Sequence, residues 1–320
     1  PVNKIIQELD LDLKTYHCNP GIKISTGDEV FSFYTSVDEL NDELKRVFNL
    51  NCKDTLYKWA GLEDLLWESL SHVKDFPNIR LSTIKNLLSR PTRGLIKNPK
   101  LFTSSFYNYL PKKMRQNKKF INVLDQLLLI STQQTSKTCP AFMGILGFFY
   151  PFDTHAIEGG MWRLVKSLED KIKSYNGEIK YRSTCKLIEK SGASYIISTQ
   201  SEQLKCSELI SNISPELFNL LFKEKELKQE KGKIWGAMTA YFSFSSEIPV
   251  THLYQQVHGK SGSMFFSFSH PDDKFRSQVM QMVSVSTHID CDKFDQRDDS
   301  YQALKDKFKD DVIKSFKTNP

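Results

Sequence analysis

Residues 153–160 combine side chains that could move a proton with a backbone that could lie close to a ligand. Asp153 and His155 are two positions apart, as in a carboxylate–imidazole proton shuttle, although a hydrogen-bonded loop histidine is the alternative. Gly159-Gly160 follows, and paired glycines indicate a backbone that bends sharply or comes close to another group. This spacing indicates a site that orients a ligand.

Aromatic side chains flank this stretch and offer flat apolar surfaces. Either they form the walls of a dry slot beside the glycines, or they belong to the structural core. The candidates for substrate contact are Phe148, Phe149, Tyr150, Phe152, His155 and Trp162, with Phe142 close by.

Several other chemistries find no support in the sequence. No Ser-His-Asp arrangement, paired-carboxylate spacing or P-loop is recognisable. The six cysteines include no CxxC pair, which speaks against a zinc site and a disulfide framework. The seven histidines are dispersed, so no metal site is predicted. Catalytic residues cannot be assigned from these patterns.

The elements that would hold Gly159-Gly160 can be predicted from periodicity. Leu164, Leu168 and Ile172 recur at helical spacing, and Asn176-Gly177 is typical of a helix end. Alternating residues then predict consecutive strands at 178–181, 185–189, 194–198 and 208–212. The glycine pair should therefore lie between an aromatic segment and a helix that leads into a sheet.

The stretch 148–215 resembles the middle of the flavin-dependent phytoene desaturase, carotenoid isomerase and retinol saturase superfamily, which is related to amine oxidases. The resemblance rests on Phe148-Phe149-Tyr150-Pro151, Glu158-Gly159-Gly160-Met161-Trp162 and Ile210-Ser211-Asn212-Ile213-Ser214. Weaker similarity at Asn19-Pro20, Gly27-Asp28 and the segments 265–272 and 283–288 extends it over most of the chain.

The resemblance implies an FAD cofactor, a part of whose binding site is missing from this sequence. The family's dinucleotide loop, GxGxxG after a strand, does not occur, and Gly144-Ile145-Leu146-Gly147 lies in an apolar run instead. The C-terminal flavin segment is not found either. We therefore expect the 320 residues to be an internal fragment of a longer flavoprotein, which binds FAD poorly by itself.

By position in the family's motif, six residues are implied at the cofactor: Gly159, Gly160, Met161, Cys185, Ser211 and Asn212. Cys185 replaces the family's valine. The implied function is an FAD-dependent desaturase, saturase or cis/trans isomerase of a long apolar polyene or isoprenoid, such as a carotenoid or retinoid. Two alternatives remain open: an amine-oxidase-like flavoprotein, and a non-catalytic lipid- or membrane-binding module without the cofactor half.

Charge is strongly uneven along the chain. Residues 76–124 contain eleven Lys or Arg and no Asp or Glu, whereas the whole chain is only +6. Interleaved leucines and aromatics favour an anionic membrane surface as the partner over nucleic acid, and a plain solvated helical face is the alternative. We expect peripheral attachment at the cytoplasmic side. The longest apolar run is too short to cross a bilayer.

The remaining pattern predicts an α+β fold. The resemblance implies that part of an FAD-binding domain joins a substrate domain with a mixed or antiparallel sheet and a helical cap. A hairpin is expected around Gly27-Asp28, a core helix over 120–131, strands over 234–287 and a closing helix over 298–316. A helix is also expected over 39–48 with Asp38 as its cap, and the basic segment should be helical with breaks at Pro91, Pro99 and Pro111. The expected division is 1–157 for the substrate and cap region, 158–222 for the middle of the FAD-binding domain and 223–320 for the substrate-domain sheet. Oligomeric state is not predicted.

Overall fold

The structure is a computed structural model that describes residues 2–27, 29–71, 95, 98–222, 235–245, 247, 250, 252–259, 262–274, 277, 279–290 and 299–318. These residues belong to two compact units. The first unit comprises 1–12 and 165–234, and the second comprises 13–164 and 235–320.

Helices and strands alternate along the chain without a regular repeat, and the α+β class is confirmed. In chain order they are α1 (Val2–Glu8), β1 (Thr15–His17), β2 (Ile22–Thr26), β3 (Glu29–Phe33), α2 (Val37–Phe48), α3 (Lys53–Ser71), α4 (Lys100–Thr103), α5 (Phe106–Tyr109), α6 (Lys112–Gln116), α7 (Lys118–Thr132), α8 (Ala141–Phe149), a 3-10 turn (Tyr150–Asp153), β4 (His155–Ile157), α9 (Met161–Ser174), β5 (Leu187–Ser191), β6 (Ser194–Ser198), β7 (Gln203–Cys206), α10 (Pro215–Leu221), β8 (Trp235–Ser245), β9 (Tyr254–Gly259), β10 (Gly262–Phe268), β11 (Met280–Asp290) and α11 (Asp299–Thr318).

A six-stranded sheet organises the second unit, with the order β3-β2-β9-β10-β11-β8. Its neighbouring strands are antiparallel except for β2 and β9, which are parallel. The predicted hairpin is confirmed: Thr26 pairs with Glu29, and Gly27 has a φ of 61°. The sheet is therefore mixed, because β2 of the early hairpin pairs in parallel with β9, the nearest of four strands from the late part of the chain.

One large core packs helices against the early strands. The predicted core helix is confirmed as α7, whose Phe120, Leu124 and Leu127 are fully buried. Helix α8 lies beside α5 at a glycine: a methyl group on Gly144 would come within 2.2 Å of the Phe106 ring. The Gly144–Gly147 segment therefore serves helix packing.

A second, smaller core lies between α11 and the other end of the sheet. Phe308 and Val312 of α11 are buried together with Met264, Phe266, Val283 and Val285. The alternation of β8 places Met238, Ala240, Phe242 and Phe244 against this cluster. The predicted late strands and closing helix are confirmed, with bounds shifted by at most three residues.

The helix caps show where local signals were misassigned. We expected Asp38 to cap α2, but the cap is Ser36, whose Oγ accepts a hydrogen bond from the Glu39 amide at 3.2 Å. Ser36 is the cap because its side chain reaches a free amide of the first turn, whereas Asp38 already lies within that turn. Predicted helix breaks at Pro99 and Pro111 are confirmed, and Pro91 lies outside the described residues.

The first unit contains residues 165–174 of helix α9 and a three-stranded antiparallel sheet, β5-β6-β7. The predicted end of α9 is confirmed: Asn176 has a φ of 59°, and the Gly177 amide donates to the Ile172 carbonyl at 2.9 Å. The predicted strands at 178–181 and 208–212 are wrong, since both described segments are irregular. Strand β7 was not predicted; it pairs with β6.

Candidate functional site

The Gly-Gly turn, Gly159-Gly160, joins β4 to α9 in a left-handed backbone conformation. The φ angles are 78° and 74°, values that favour glycine at both positions. The Gly160 amide donates to the Ile157 carbonyl at 2.8 Å and closes the turn. A methyl group on Gly160 would meet no atom within 4 Å, so this face of the backbone is open. The predicted sharp bend is thus confirmed.

Strands β1 and β4 hold the turn from one side. They form a two-stranded antiparallel sheet in which Tyr16 lies opposite Ala156. The Glu158 amide continues the ladder by donating to the Lys14 carbonyl at 3.0 Å. The side chains of Lys14, Tyr16 and Glu158 consequently meet at the entrance of the turn.

Glu158 is a buried carboxylate with three partners. Its Oε1 lies 2.8 Å from the Tyr16 hydroxyl and 3.5 Å from Lys14 Nζ. Its Oε2 lies 2.8 Å from Lys274 Nζ. The residue is only 8% exposed, although both lysines are largely in solvent. A buried carboxylate needs such partners because an unpaired one would be costly.

The same contacts fix the protonation state of Glu158. The hydrogen bond from Lys274, followed by that from Tyr16, lowers the pKa of this carboxyl from 4.5 to about 2. Glu158 is therefore ionised at neutral pH. It can anchor the turn, but it is poorly suited to accept or donate a proton in a reaction.

A loop between β10 and β11 holds the turn from the other side. Asp273 Oδ2 accepts a hydrogen bond from the Gly159 amide at 2.7 Å. His270 stacks on the Tyr16 ring at 4.1 Å between centroids, with 7° between the planes. The Tyr16 hydroxyl also lies 2.9 Å from the Asp272 carbonyl, so its single proton is shared between this oxygen and Glu158.

We call Lys14, Tyr16, Glu158, Asp273 and Lys274 the turn clamp. Of these, sequence reasoning singled out only Glu158, because it precedes the glycines. The others are remote in sequence: Tyr16 is 142 positions from Glu158, and Asp273 is 114 positions from Gly159. No local pattern could reveal them.

The predicted carboxylate–imidazole pair is present next to the turn. His155 Nε2 lies 3.1 Å from Asp153 Oδ1, and the His155 ring lies 5.0 Å from that of His17. The Tyr254 hydroxyl donates to the His155 carbonyl at 3.5 Å, and burial raises the pKa of Tyr254 to about 12. Tyr254 thus stays protonated at neutral pH. A substrate role for His155 stays a prediction.

The predicted aromatic slot is divided between the core and the surface. Phe148 is fully buried against Phe33 and Trp59, and Phe149 packs edge-on against Phe152 at 4.8 Å. Tyr150 and Trp162, by contrast, are 56% and 66% exposed. Only the exposed aromatics are available to a ligand in this conformation, and their roles stay predictions.

The other predicted cofactor residues are surface positions. Met161 begins α9 and is 65% exposed. Cys185 is half-buried in the first unit, with its Sγ 3.8 Å from the Leu187 carbonyl. Ser211 and Asn212 lie in an exposed irregular segment of that unit. Their contact with a cofactor stays a prediction.

The Gly-Gly turn shows which part of FAD these residues could contact. The open face of Gly160 can receive a flat ring edge, because a side chain there would occupy that space. Both glycine amides, however, are engaged by Asp273 and Ile157. The turn therefore fits contact with a flavin ring and does not fit a pyrophosphate, which needs free amides.

In the part of the chain that the structure describes, no group of three or more His, Cys, Asp or Glu could hold a metal ion. No helix in that part has the length and apolar character needed to cross a bilayer.

Comparisons with known proteins identify relatives in structure but not in sequence. Protein-family models and curated protein sequences give no match. An oxidoreductase from Methanosarcina mazei is similar, with a TM-score of 0.59 and 13% identity over 98% of this chain and 69% of its own. A protein from Pyrococcus furiosus has a TM-score of 0.58 and 13% identity over 98% and 68%. A Rab GDI from Plasmodium falciparum has a TM-score of 0.54 and 10% identity over 96% and 67%.

At these identities the comparisons show the fold alone. The fold is one that an oxidoreductase and a Rab GDI both adopt, so it does not determine an activity. This chain spans about two thirds of the length of each of these structures.

Proposed function

We propose that this chain is part of an FAD-dependent oxidoreductase that desaturates, saturates or isomerises a long apolar polyene or isoprenoid, such as a carotenoid or retinoid. The observation that carries the proposal is the Gly-Gly turn: an open, left-handed backbone at the start of a helix, held rigid by the turn clamp. The fold shared with an oxidoreductase and the sequence resemblance at 148–215 support it.

The chain's own residues would orient the ring and the substrate. Gly159, Gly160 and Met161 would contact the flavin, and exposed Tyr150 and Trp162 would line the approach to it. FAD, when bound, supplies the hydride chemistry that no protein side chain provides. Glu158 would keep the turn in place, since its ionised carboxylate is occupied by Lys274 and Tyr16.

Poor burial in the first unit supports a larger cofactor domain. Between residues 165 and 222, all of which the structure describes, Ile188 is the one buried residue. Helix α9 contains no buried residue, although Leu168 and Ile172 form an apolar stripe. A stable domain buries such stripes against another layer. Further polypeptide of an FAD-binding domain would provide that layer.

A second candidate is a non-catalytic lipid- or membrane-binding module. The similarity to a Rab GDI favours this candidate, because a protein that is not named as an oxidoreductase has the same fold. The amine-oxidase-like alternative has no comparable observation at the turn among the described residues, where Asp273 accepts a hydrogen bond from the Gly159 amide.

Membrane attachment through residues 76–124 is also a proposal. The described residues of that segment indicate which of its side chains could contact a membrane. The predicted lipid-facing residues Leu101, Phe106 and Leu110 are buried in the core, whereas Phe102 is 51% exposed. Lys113 donates to the Asn51 carbonyl, and Lys119 pairs with Glu29. Attraction would therefore depend on exposed charge, chiefly Lys100, Lys112 and Lys118, more than on insertion. The basic residues at 80, 85, 90, 93 and 97 lie outside the described residues.

The decisive experiment is the absorption spectrum of the purified full-length gene product. Oxidised flavin absorbs in the visible, and we expect stoichiometric FAD in that protein and little in the isolated 320 residues after desalting. Polyene turnover under anaerobic conditions with an added electron acceptor would then identify the reaction. A full-length protein without flavin would contradict the enzyme and favour the module.

A further inference from the structure

Strand β8 is the last strand of the six-stranded sheet. It pairs with β11 along eleven residues, and no described strand pairs with its other edge. Its sequence, Trp-Gly-Ala-Met-Thr-Ala-Tyr-Phe-Ser-Phe-Ser, contains no charged residue and no proline. Natural sheets usually protect an edge with such residues, because outward N–H and C=O groups recruit further strands. This long edge lacks that protection within the strand itself.

A groove runs along this edge and has a volume of about 580 Å³. Six consecutive residues of β8, 237–242, line it. Since successive side chains of a strand point to opposite faces, consecutive residues line a groove only where the strand edge itself is accessible. The opposite wall is α11, through Tyr301, Gln302, Lys305, Asp306, Phe308 and Lys309.

The helical wall carries two lysines, Lys305 and Lys309, and one aspartate, Asp306, so its net charge is +1. Asp306 accepts a hydrogen bond from Gln302 Nε2 at 3.2 Å. Lys305 lies over the Tyr301 ring, 5.5 Å from its centroid, and Lys309 has no ion pair among the described residues. Both ammonium groups are on exposed residues at the groove and remain available to an anion.

We propose that this groove binds an extended acidic peptide segment of a partner protein, which adds a strand to the free edge of β8. The spacing agrees: alternate residues of a strand are about 6.8 Å apart, and Lys305 and Lys309, four residues apart on a helix, are separated by about 6 Å along its axis. Two acidic side chains at alternate positions of the peptide would therefore reach both lysines. The groove's length of six residues sets the length of the segment.

Other occupants fit the groove less well. An alkyl chain would remove water from the outward backbone groups of β8 without replacing their hydrogen bonds, which is unfavourable. A second copy of this chain, paired through β8, would bring the Lys305 and Lys309 side chains of both copies to the same side of the joined sheet, where like charges repel. The peptide meets both requirements, since it supplies backbone partners and negative charge. The proposal does not depend on flavin or on the reaction.

The test uses the full chain and a fluorescein-labelled eight-residue peptide of alternating Glu and Val, measured by fluorescence anisotropy at low ionic strength. We expect saturable binding in the micromolar range. The Lys305→Glu/Lys309→Glu protein should bind at least tenfold more weakly, since both anion partners are reversed. Lys307→Glu is a control with half the change in net charge, because Lys307 lies on the same helix outside the groove, and it should change binding by less than twofold.

Two altered peptides separate the backbone contribution from the charge. The same peptide with methylated amide nitrogens should not bind, because it cannot pair with a strand edge, and a Lys-Val peptide should bind at least tenfold more weakly. Equal binding of the methylated peptide, or no binding of the original at 1 mM, would overturn the proposal. A chain that sediments as a dimer, with β8 amides protected from hydrogen exchange only in the dimer, would identify a second copy as the occupant instead.

Discussion

Glu158 and Gly160 are the residues on which the candidate site depends, and they act in different ways. Glu158 contributes an ion that two lysines and a tyrosine surround. Gly160 contributes the absence of a side chain, in a conformation that other residues rarely adopt. The glycine bend was predictable from sequence because two adjacent glycines have few other uses. The clamp was not, since its members come from three distant segments that only the folded chain brings together.

Replacing Gly160 tests the left-handed turn. Gly160→Val should lower the free energy of unfolding by about 1–3 kcal/mol. The loss would come from backbone strain at the positive φ and not from a steric clash, since the new Cβ would meet no neighbouring atom. Gly160→Asn should lower it less, since asparagine tolerates this conformation better. Urea titration of both variants measures the difference. Gly61→Ala, in helix α3 with no atom near its Cβ, is the control and should not destabilise. Equal stability of the Val variant and the parent would refute the assignment.

Acid titration tests the clamp at Glu158. Because the folded pKa of about 2 is below the usual 4.5, this group's contribution to stability is complete above pH 4.5 and is lost as the pH falls from 4.5 to 2. We expect the melting temperature of Glu158→Gln to be lower than that of the parent at pH 6 and to approach it near pH 2. The exposed Glu189→Gln is the control, which should follow the parent throughout. A constant difference between Glu158→Gln and the parent across this range would show that the clamp is not electrostatic.

At the scale of elements, prediction succeeded where periodicity is long or turn chemistry is specific. Helix α7 was recognisable because its apolar residues form a continuous stripe, and the β2–β3 hairpin because Gly27 accepts a left-handed φ. It failed in the first unit: segments 178–181 and 208–212 have strand-like composition but no neighbouring strand to pair with among the described residues. β-propensity is expressed only where a partner strand exists.

The contact of α8 with α5 provides a test at this scale. Gly144→Ala should lower the free energy of unfolding by roughly 1–3 kcal/mol, because the new methyl group would overlap the Phe106 side chain at 2.2–2.5 Å. Thermal unfolding with a two-state fit gives the value. In the double variant Gly144→Ala/Phe106→Ala the two effects should be less than additive, since alanine removes Cγ and Cδ1, two of the three Phe106 atoms that the methyl group would overlap. Additive losses would show that Gly144 has no role in helix packing.

At the scale of the whole molecule, the interleaved order of the two units was only partly predictable. The sequence predicted that strands late in the chain form a substrate-domain sheet, and the structure joins them with β2 and β3 from the early part. A parallel contact between β2 and β9 leaves no local signature, because its residues are more than 200 positions apart. The predicted domain boundaries at residues 157 and 222 stay predictions; the two compact units divide the chain at other positions.

The uneven distribution of charge along the chain leads to a prediction about membrane binding by the segment 76–124. The double variant Lys112→Glu/Lys118→Glu should reduce co-sedimentation with vesicles of 30% phosphatidylserine by at least threefold. Salt at 0.5 M should weaken binding of the parent protein. Both effects are expected because exposed charge provides the attraction, at about 1 kcal/mol per lysine at the membrane surface. Lys305→Glu/Lys309→Glu changes the net charge equally, at another place, and serves as the control. If both pairs reduce binding alike, net charge and not this segment is responsible. Without binding of the parent, the membrane proposal fails.

The parallel pairing of β2 with β9 also determines when the protein can complete its fold on the ribosome. All described residues that are buried in the larger core lie between 22 and 149, and this part of the chain can collapse as soon as it emerges. Strand β2 must nevertheless wait for residues 254–259, and at 5–20 residues per second this delay is roughly 10–50 seconds. During that interval the unpaired side of β2 is open to other nascent strands. Slow translation or high expression should therefore favour aggregation of this chain through β2, and a chaperone that covers exposed strand edges would have its greatest effect within that interval.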